Sequence, residues 1–254
     1  MKDKISVMTW NINQRANYGM NSSIPCVVLE ELEKVNCDIT VLTEFYKVKE
    51  YKTFFLGLDK LGYIVVSNKE RAKRGVNEVV IAIKKNVFDG QSLSVSQIET
   101  IYDFQPNMLN VQIKFKETVL NIVGVRIRPT TNWSNRREQL EFLTTYIQSL
   151  KGKVIVLGDF NNGYFSESDT EVSFVGNRKF YNYPYIKNEM SRIGFISYTP
   201  QKGFSWDTYR LDHIFAKNMK VINLSYNWEF ETNKKFKKEV GFPDHAILLG
   251  ELLL

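Results

Sequence analysis

Twice in this chain a stretch with helical spacing runs directly into a short, wholly apolar strand, and few folds accommodate that. The first is "IPCVVLEELEKV" leading into "CDITVLTEF" at 37–45; the second is "SNRREQLEFLTTYIQSL" at 134–150 leading into "KVIVLGDF". Pro25, just after Ser23, fits only near a helix start, and Val28, Leu32 and Val35 fall on one face. In the second stretch Leu140, Leu143, Ile147 and Leu150 recur three, four and three residues apart. A strand apolar at every position, such as Val154–Leu157, has to be covered on both faces. With the loosely alternating run Ile5–Ile12 ahead of the first helix, the opening 45 residues read as a parallel βαβ unit.

Between the two units lie four strand-like runs, "YIVVSN", "NEVVIAIKK", "MLNVQIKF" and "VLNIVGVRI", whose close spacing implies antiparallel hairpins. Residues 51–61 and "PYIKNEMSRIGF", the latter ending at Gly194, read as short helices. "RLDHIFAKN", "KVINLSYNWEF" and "HAILLGELLL" supply the last strands. No Pro/Gly/Ser-rich linker divides the 254 residues, and 43% hydrophobic content is enough for one core, so a single domain over 1–254 is expected. Its class is α/β, a sandwich of two mixed sheets with helices outside.

Several function classes are excluded at this level. Cys26 and Cys37 have neither metal-type spacing nor the density of a disulfide scaffold. No run approaches the roughly 18 apolar residues of a membrane span, and "MKDKISVMTWNIN" alternates like a strand, not a signal peptide, so a soluble, cytoplasmic chain is expected. Lys and Arg exceed Asp and Glu by 34 to 28, a net charge of +6 that suits a polyanionic partner without requiring one.

The chemistry sits at the ends of the apolar strands. Asn11 ends the first, Glu44 the second, Asp159 and Asn161 follow "VIVL", Asp212 lies in "LDHIF", and Asp244 with His245 opens the last. "GDFNNG" on its own reads as a strand-to-loop corner, and each of the others alone is an ordinary turn or surface residue. Their recurrence matters because side chains at strand ends on one edge of a sandwich converge. Several carboxylates with one imidazole would repel one another unless a hard cation sat among them, and oxygen donors point to Mg²⁺ or Mn²⁺ over Zn²⁺. Such an ion with open water positions serves phosphoester hydrolysis.

"TWNIN" (9–13), "TEF" (43–45), "GDFNNG" (158–163), "RLDHIF" (210–215) and "PDHAILLGEL" (243–252), in this order, resemble the motif series of the endonuclease/exonuclease/phosphatase superfamily. That resemblance implies a four-layer, deoxyribonuclease I-like α/β sandwich with two central mixed sheets flanked by helices. It implies Glu44 as the principal ligand of Mg²⁺ or Mn²⁺, with Asn11 and Asp244 assisting, Asp244 through water. Asp159 would orient or deprotonate the attacking water and Asn161 would donate to a phosphate oxygen. Asp212 would accept a hydrogen bond from His245, whose other nitrogen faces the phosphate as base or clamp.

One position departs from the pattern. Relatives place a histidine or tyrosine after the strand corresponding to "VLNIVGV", where this chain has Arg126. A guanidinium stays charged and cannot act as a general acid, so Arg126 is expected to stabilise charge on the transferring phosphate. Arg128, two residues on, would share its face of the strand. Arg128, Asn162 and Trp206 are the candidate substrate contacts, with Trp206 equally open to a role as a core or wall residue. His213 is expected to be structural, because it points opposite to Asp212 on a regular strand.

The resemblance, the positive balance and the aromatic and basic segments at 164–185 and 233–245 favour a monomeric metal-dependent nuclease acting on DNA. A phosphatase or phosphodiesterase acting on a small ester is the alternative, and a binding module without catalysis the third.

Overall fold

The computed structural model of the protein describes residues 4–14, 24–47, 50–68, 77–87, 92–97, 102, 104–115, 118–129, 133–162, 180–232 and 241–253, and the structural statements below concern these. Most of the 164–185 segment and residues 233–240 of the basic segment lie outside them.

The first βαβ unit forms as its sequence requires. Strand β1 (Lys4–Asn11) pairs in parallel with β2 (Ile39–Phe45), from Val7 beside Ile39 to Asn11 beside Thr43, and α1 (Cys26–Val35) is the crossover. Helix α2 (Tyr51–Lys60) leads to β3 (Tyr63–Ser67) and β4 (Glu78–Lys84), an antiparallel pair that extends this sheet beyond β2. Strands β5 (Ser92–Gln97), β6 (Asn107–Phe115) and β7 (Thr118–Arg126) form an antiparallel meander in a second sheet. The second unit repeats the first plan: β7 pairs in parallel with β8 (Lys153–Asp159) across helix α3 (Trp133–Gln148). After α4 (Tyr183–Arg192) come β9 (Ile196–Tyr198) and β10 (Asp212–Lys217) on the far side of β8. Finally β11 (Lys220–Asn227) and β12 (Ile247–Leu253) return to the first sheet beside β1.

Each sheet thus has six strands, ordered β11-β12-β1-β2-β4-β3 and β5-β6-β7-β8-β10-β9. The expected hairpins are real, but β3/β4 and β6/β7 belong to opposite sheets. Two strands lack a clear sequence signal, β5 and β9, each at an edge of the second sheet.

Three apolar clusters define four layers. Ile5, Val41 and Ile81 of one sheet meet Leu109, Ile122 and Leu157 of the other between the sheets. Val28 and Leu32 of α1, with Phe54 and Leu58 of α2, cover the outer face of the first sheet against Trp10 and Leu42. Leu140, Leu143 and Ile147 of α3, with Ile186 and Met190 of α4, cover the second sheet against Val123 and Val156. Close approach of the sheets depends on Gly124, where a Cβ would lie 2.6 Å from Val79 and 2.8 Å from Val41.

Among the described residues no helix is long and apolar enough to cross a membrane.

Candidate active site

Strand register alone lines up one half of the site. Arg126 at the end of β7 pairs with Asp159 at the end of β8, which pairs with Asp212 at the start of β10. Directly paired residues project to the same face, so the three side chains form a row across one sheet. Gly158 makes this approach possible: at φ 150° its Cβ would sit 1.8 Å from the Val125 carbonyl oxygen, which no side chain tolerates. The glycine of "GDFNNG" is therefore required by the neighbouring strand.

The first sheet supplies the other half. Asn11 at the end of β1 donates from Nδ2 to Asp159 Oδ2 at 3.0 Å and accepts at Oδ1 from the Asn13 backbone N–H at 3.0 Å, which fixes the amide's orientation. Glu44 lies in β2 at a register irregularity between Leu42 and Phe45, with φ 53°, a left-handed conformation that costs a non-glycine residue about 1 kcal/mol. The irregularity aims Glu44 across the sandwich to an ion pair between its Oε1 and Arg126 Nη2. Arg126 Nε lies 3.9 Å from Asp159 Oδ2 and has no hydrogen-bond partner among the described residues.

His245, just ahead of β12, closes the cluster. Its Nδ1 bonds Asp212 Oδ2 at 2.7 Å, and its Nε2 lies 3.5 Å from the Asn11 Nδ2 that bonds Asp159. Trp10 Nε1 donates to the His245 carbonyl at 2.9 Å. Ser205 ties the two partner segments together. Its hydroxyl accepts from the Leu211 and Asp212 N–H groups at 2.8 and 3.1 Å, while its carbonyl accepts from Ala246 N–H at 2.7 Å.

The charges follow from these contacts. Burial opposes a charged His245, but Asp212, Asp159 and Asp244 more than offset it and raise its pKa to about 9. Burial first, and Asp212 second, push Asp159 up to about 7. Asp159 nevertheless accepts from Asn161 backbone N–H at 2.8 Å, Asn161 Nδ2 at 2.9 Å and Asn11, bonds that favour its ionised form. Burial also works against a charged Glu44, yet Arg126, His245 and Asn11 outweigh it and hold this carboxylate below its ordinary range.

The structure therefore brings Asn11, Glu44, Arg126, Asp159, Asp212 and His245 together. Other candidates lie differently. Asn161, at φ 44°, gives its amide N–H groups to Asp159 and to the Ile127 carbonyl at 2.7 Å, so it acts on Asp159 from within the protein. Asn162 donates to the Arg210 carbonyl at 3.0 Å and bonds His213 Nε2 at 2.8 Å, away from the row. Arg128 does not share the face of Arg126, because β7 ends at Arg126; its guanidinium holds the carbonyls of Tyr102 and Gln105 at 2.7 and 3.1 Å. Trp206 is a half-buried wall beside the site, its ring 6.4 Å from that of His245 and its Nε1 3.3 Å from Asp244 Oδ2. Asp244 thus faces Trp206 and an adjoining cavity of about 550 Å³ lined by Asp207, Trp228, Glu231, Phe242 and Pro243.

His213 is wholly buried among Phe160, Tyr183 and Phe215, with both ring nitrogens bonded, to Thr199 at 2.9 Å and Asn162. Two contributors gave no clear signal in the sequence. Ser205 is one of many serines, and Arg136 of α3, which donates to the Asn161 carbonyl at 2.6 Å, looks like any residue of a charged helix face.

Two six-stranded mixed sheets flanked by helices, with an acid, amide and imidazole cluster at strand ends, define a deoxyribonuclease I-like sandwich. The chain belongs to the Endonuclease/Exonuclease/phosphatase family, whose sequence model matches residues 8–231. By class it is a phosphoester hydrolase.

Solved structures agree on the fold. ANGEL2, described as a 2′,3′-cyclic phosphatase, matches with a TM-score of 0.67 at 16% identity, covering 98% of this chain and 95% of its own. TDP2 from D. rerio, complexed with a single-strand DNA product, matches at TM-score 0.67 and 14% identity over 99% of both chains. An AP endonuclease from Archaeoglobus fulgidus matches at 0.65 and 14%, covering 97% and 98%. No curated protein matches the sequence.

Proposed function

We propose that the protein is a divalent-metal-dependent phosphodiesterase acting on nucleic acid, with DNA favoured. The observation that carries this is the convergence on Asp159 of Arg126, Asn11 and Asn161, beside an Asp212–His245 pair and opposite Glu44.

Among the described residues no three His, Cys, Asp or Glu side chains make a ready-built metal cage. The donors that would hold an ion are the Glu44 carboxylate and, through the lone pair left beside its bond from Asn13 N–H, the Asn11 amide oxygen, both hard and few. That set fits Mg²⁺ or Mn²⁺ retaining most of its water, and fits Zn²⁺ poorly. Bound there, the ion would act as a Lewis acid on a phosphoryl oxygen.

The chain's own residues account for the rest. Asp159, held in place by three N–H donors and pushed up to about 7, is suited to orient water and take its proton near neutral pH. His245, kept charged by Asp212, offers Nε2 to a phosphate oxygen. Arg126 presents an unshared Nε beside Asp159 for the same purpose.

The substrate preference is supported by the net charge of +6 and by the nucleic-acid enzymes among the structural neighbours. Activity on bis(p-nitrophenyl) phosphate, p-nitrophenyl phosphate, plasmid DNA and RNA is the test, run with Mg²⁺, Mn²⁺ or chelator. Cleavage of the diester and of DNA, abolished by chelator and by Asp159→Asn, is expected. Hydrolysis of the small esters alone would move the substrate to a small phosphoester, and silence on every substrate would end the enzymatic reading.

A further inference from the structure

We infer that Arg126 and the divalent cation compete for Glu44, so that Arg126 sets how tightly the cation is held and turns to the phosphate once the cation is seated. This rests on the metal-dependent reading above and adds to it a residue that tunes the metal.

Arg126 Nη2 already contacts Glu44 Oε1, one of the two carboxylate oxygens an ion would draw on. Both side chains are about nine-tenths buried, at 9% and 10% exposure, so little water screens one cation from another at that carboxylate. A histidine could relieve the conflict by losing a proton, but a guanidinium cannot. One of the two partners therefore has to move.

Glu44 is anchored through its backbone and has the shorter side chain. Its backbone is held at φ 53°, its carbonyl accepts from Gln14 N–H at 3.0 Å, and Ile12 N–H binds the preceding Thr43 carbonyl at 3.0 Å. Arg126 reaches it over a long, rotatable side chain, and its Nε, without a hydrogen-bond partner among the described residues, lies 3.9 Å from Asp159 Oδ2. A small rotation would carry the guanidinium from Glu44 to a phosphate beside Asp159. Arg126 thereby neutralises Glu44 until the cation takes over, and then serves the substrate.

The test is calorimetric titration of Mg²⁺ alone and Mn²⁺ alone into wild type, Arg126→His at pH 8, Arg126→Met and Arg126→Lys, with thermal unfolding to establish that each is folded. Loss of the charge in the His and Met variants should tighten cation binding about tenfold or more, while Lys should leave it within about threefold of wild type. Unchanged or weaker binding in folded His and Met variants overturns the inference and leaves the metal-dependent reading standing. Absence of binding in every protein, wild type included, removes both. Wild type alone offers a second readout that needs no variant to fold. Inorganic phosphate should bind more tightly with Mg²⁺ present than without, and equal affinities would also overturn the competition.

Discussion

The two histidines are held in opposite charge states, and His213 offers a quantitative prediction. Burial first, and the nearby Arg210 second, lower the pKa of His213 from 6.5 to about 3. A depression of that size corresponds to about 5 kcal/mol of preference for the neutral ring in the folded state. Because the folded pKa lies below the unfolded one, this contribution is complete above pH 6.5 and is lost as the pH falls towards 3. His213→Gln keeps a donor towards Asn162 and removes the titration, at a cost of about 1–3 kcal/mol at pH 7 from the lost Thr199 bond and ring packing. Urea unfolding of both proteins at half-unit steps from pH 7.5 to 4 measures the effect. Taking the difference between the two curves cancels other groups, including Asp159, whose raised pKa acts with the opposite sign. Wild type should lose stability faster by a slope approaching about 1.4 kcal/mol per pH unit below pH 6, until the curves meet or cross. Parallel curves over that range would show that the ring is protonated or solvated in the folded protein, and the structural assignment of His213 would fail.

Two further perturbations probe the site's construction. Asp212→Asn should lower the His245 pKa from about 9, read from imidazole NMR shifts, and should cut kcat by about 10²–10⁴; a ring still titrating near 9 would mean that Asp212 is not what holds the charge. In wild type the Asp212–His245 pair stabilises the fold fully below pH 6.5, and the contribution should be lost as the pH rises through about 9. Gly158→Ala puts a methyl 1.8 Å from the Val125 carbonyl and should destabilise by more than about 3 kcal/mol, so a thermal midpoint near wild type would contradict the β7–β8 spacing.

Much of the architecture is legible in the sequence because the central strands are buried on both faces. β2 and β8, from Ile39 to Phe45 and from Val154 to Asp159, are buried at every position, so their apolar runs carry an unmistakable signal. The edge strands are not legible for the converse reason: "SLSVSQ" alternates serine with apolar residues, and "ISY" is three residues long. The paired runs of the middle announce hairpins, yet which sheet each hairpin joins depends on contacts between residues far apart in the chain. The strand-end residues Asn11, Glu44, Asp159, Asp212 and His245 are visible as motifs. Their partners are less so, since the Arg126–Glu44 pair spans 82 residues and belongs to two different sheets. The backbone angle of Glu44 leaves no trace in residue type, because the left-handed region would favour glycine or asparagine there. Arg128 misleads because the period of two holds only while the strand lasts, and β7 stops at Arg126.

The division of labour between the sheets bears on how the protein could be altered. Asn11 and Glu44 ride on one sheet, and Arg126, Asp159 and Asp212 on the other. The first sheet is woven from the two ends of the chain and the second from its middle. Sliding one slab over the other by an ångström would part the ligands from the base while leaving every strand intact, so a bulky replacement at Gly124, deep in the seam, should silence the protein before it melts it.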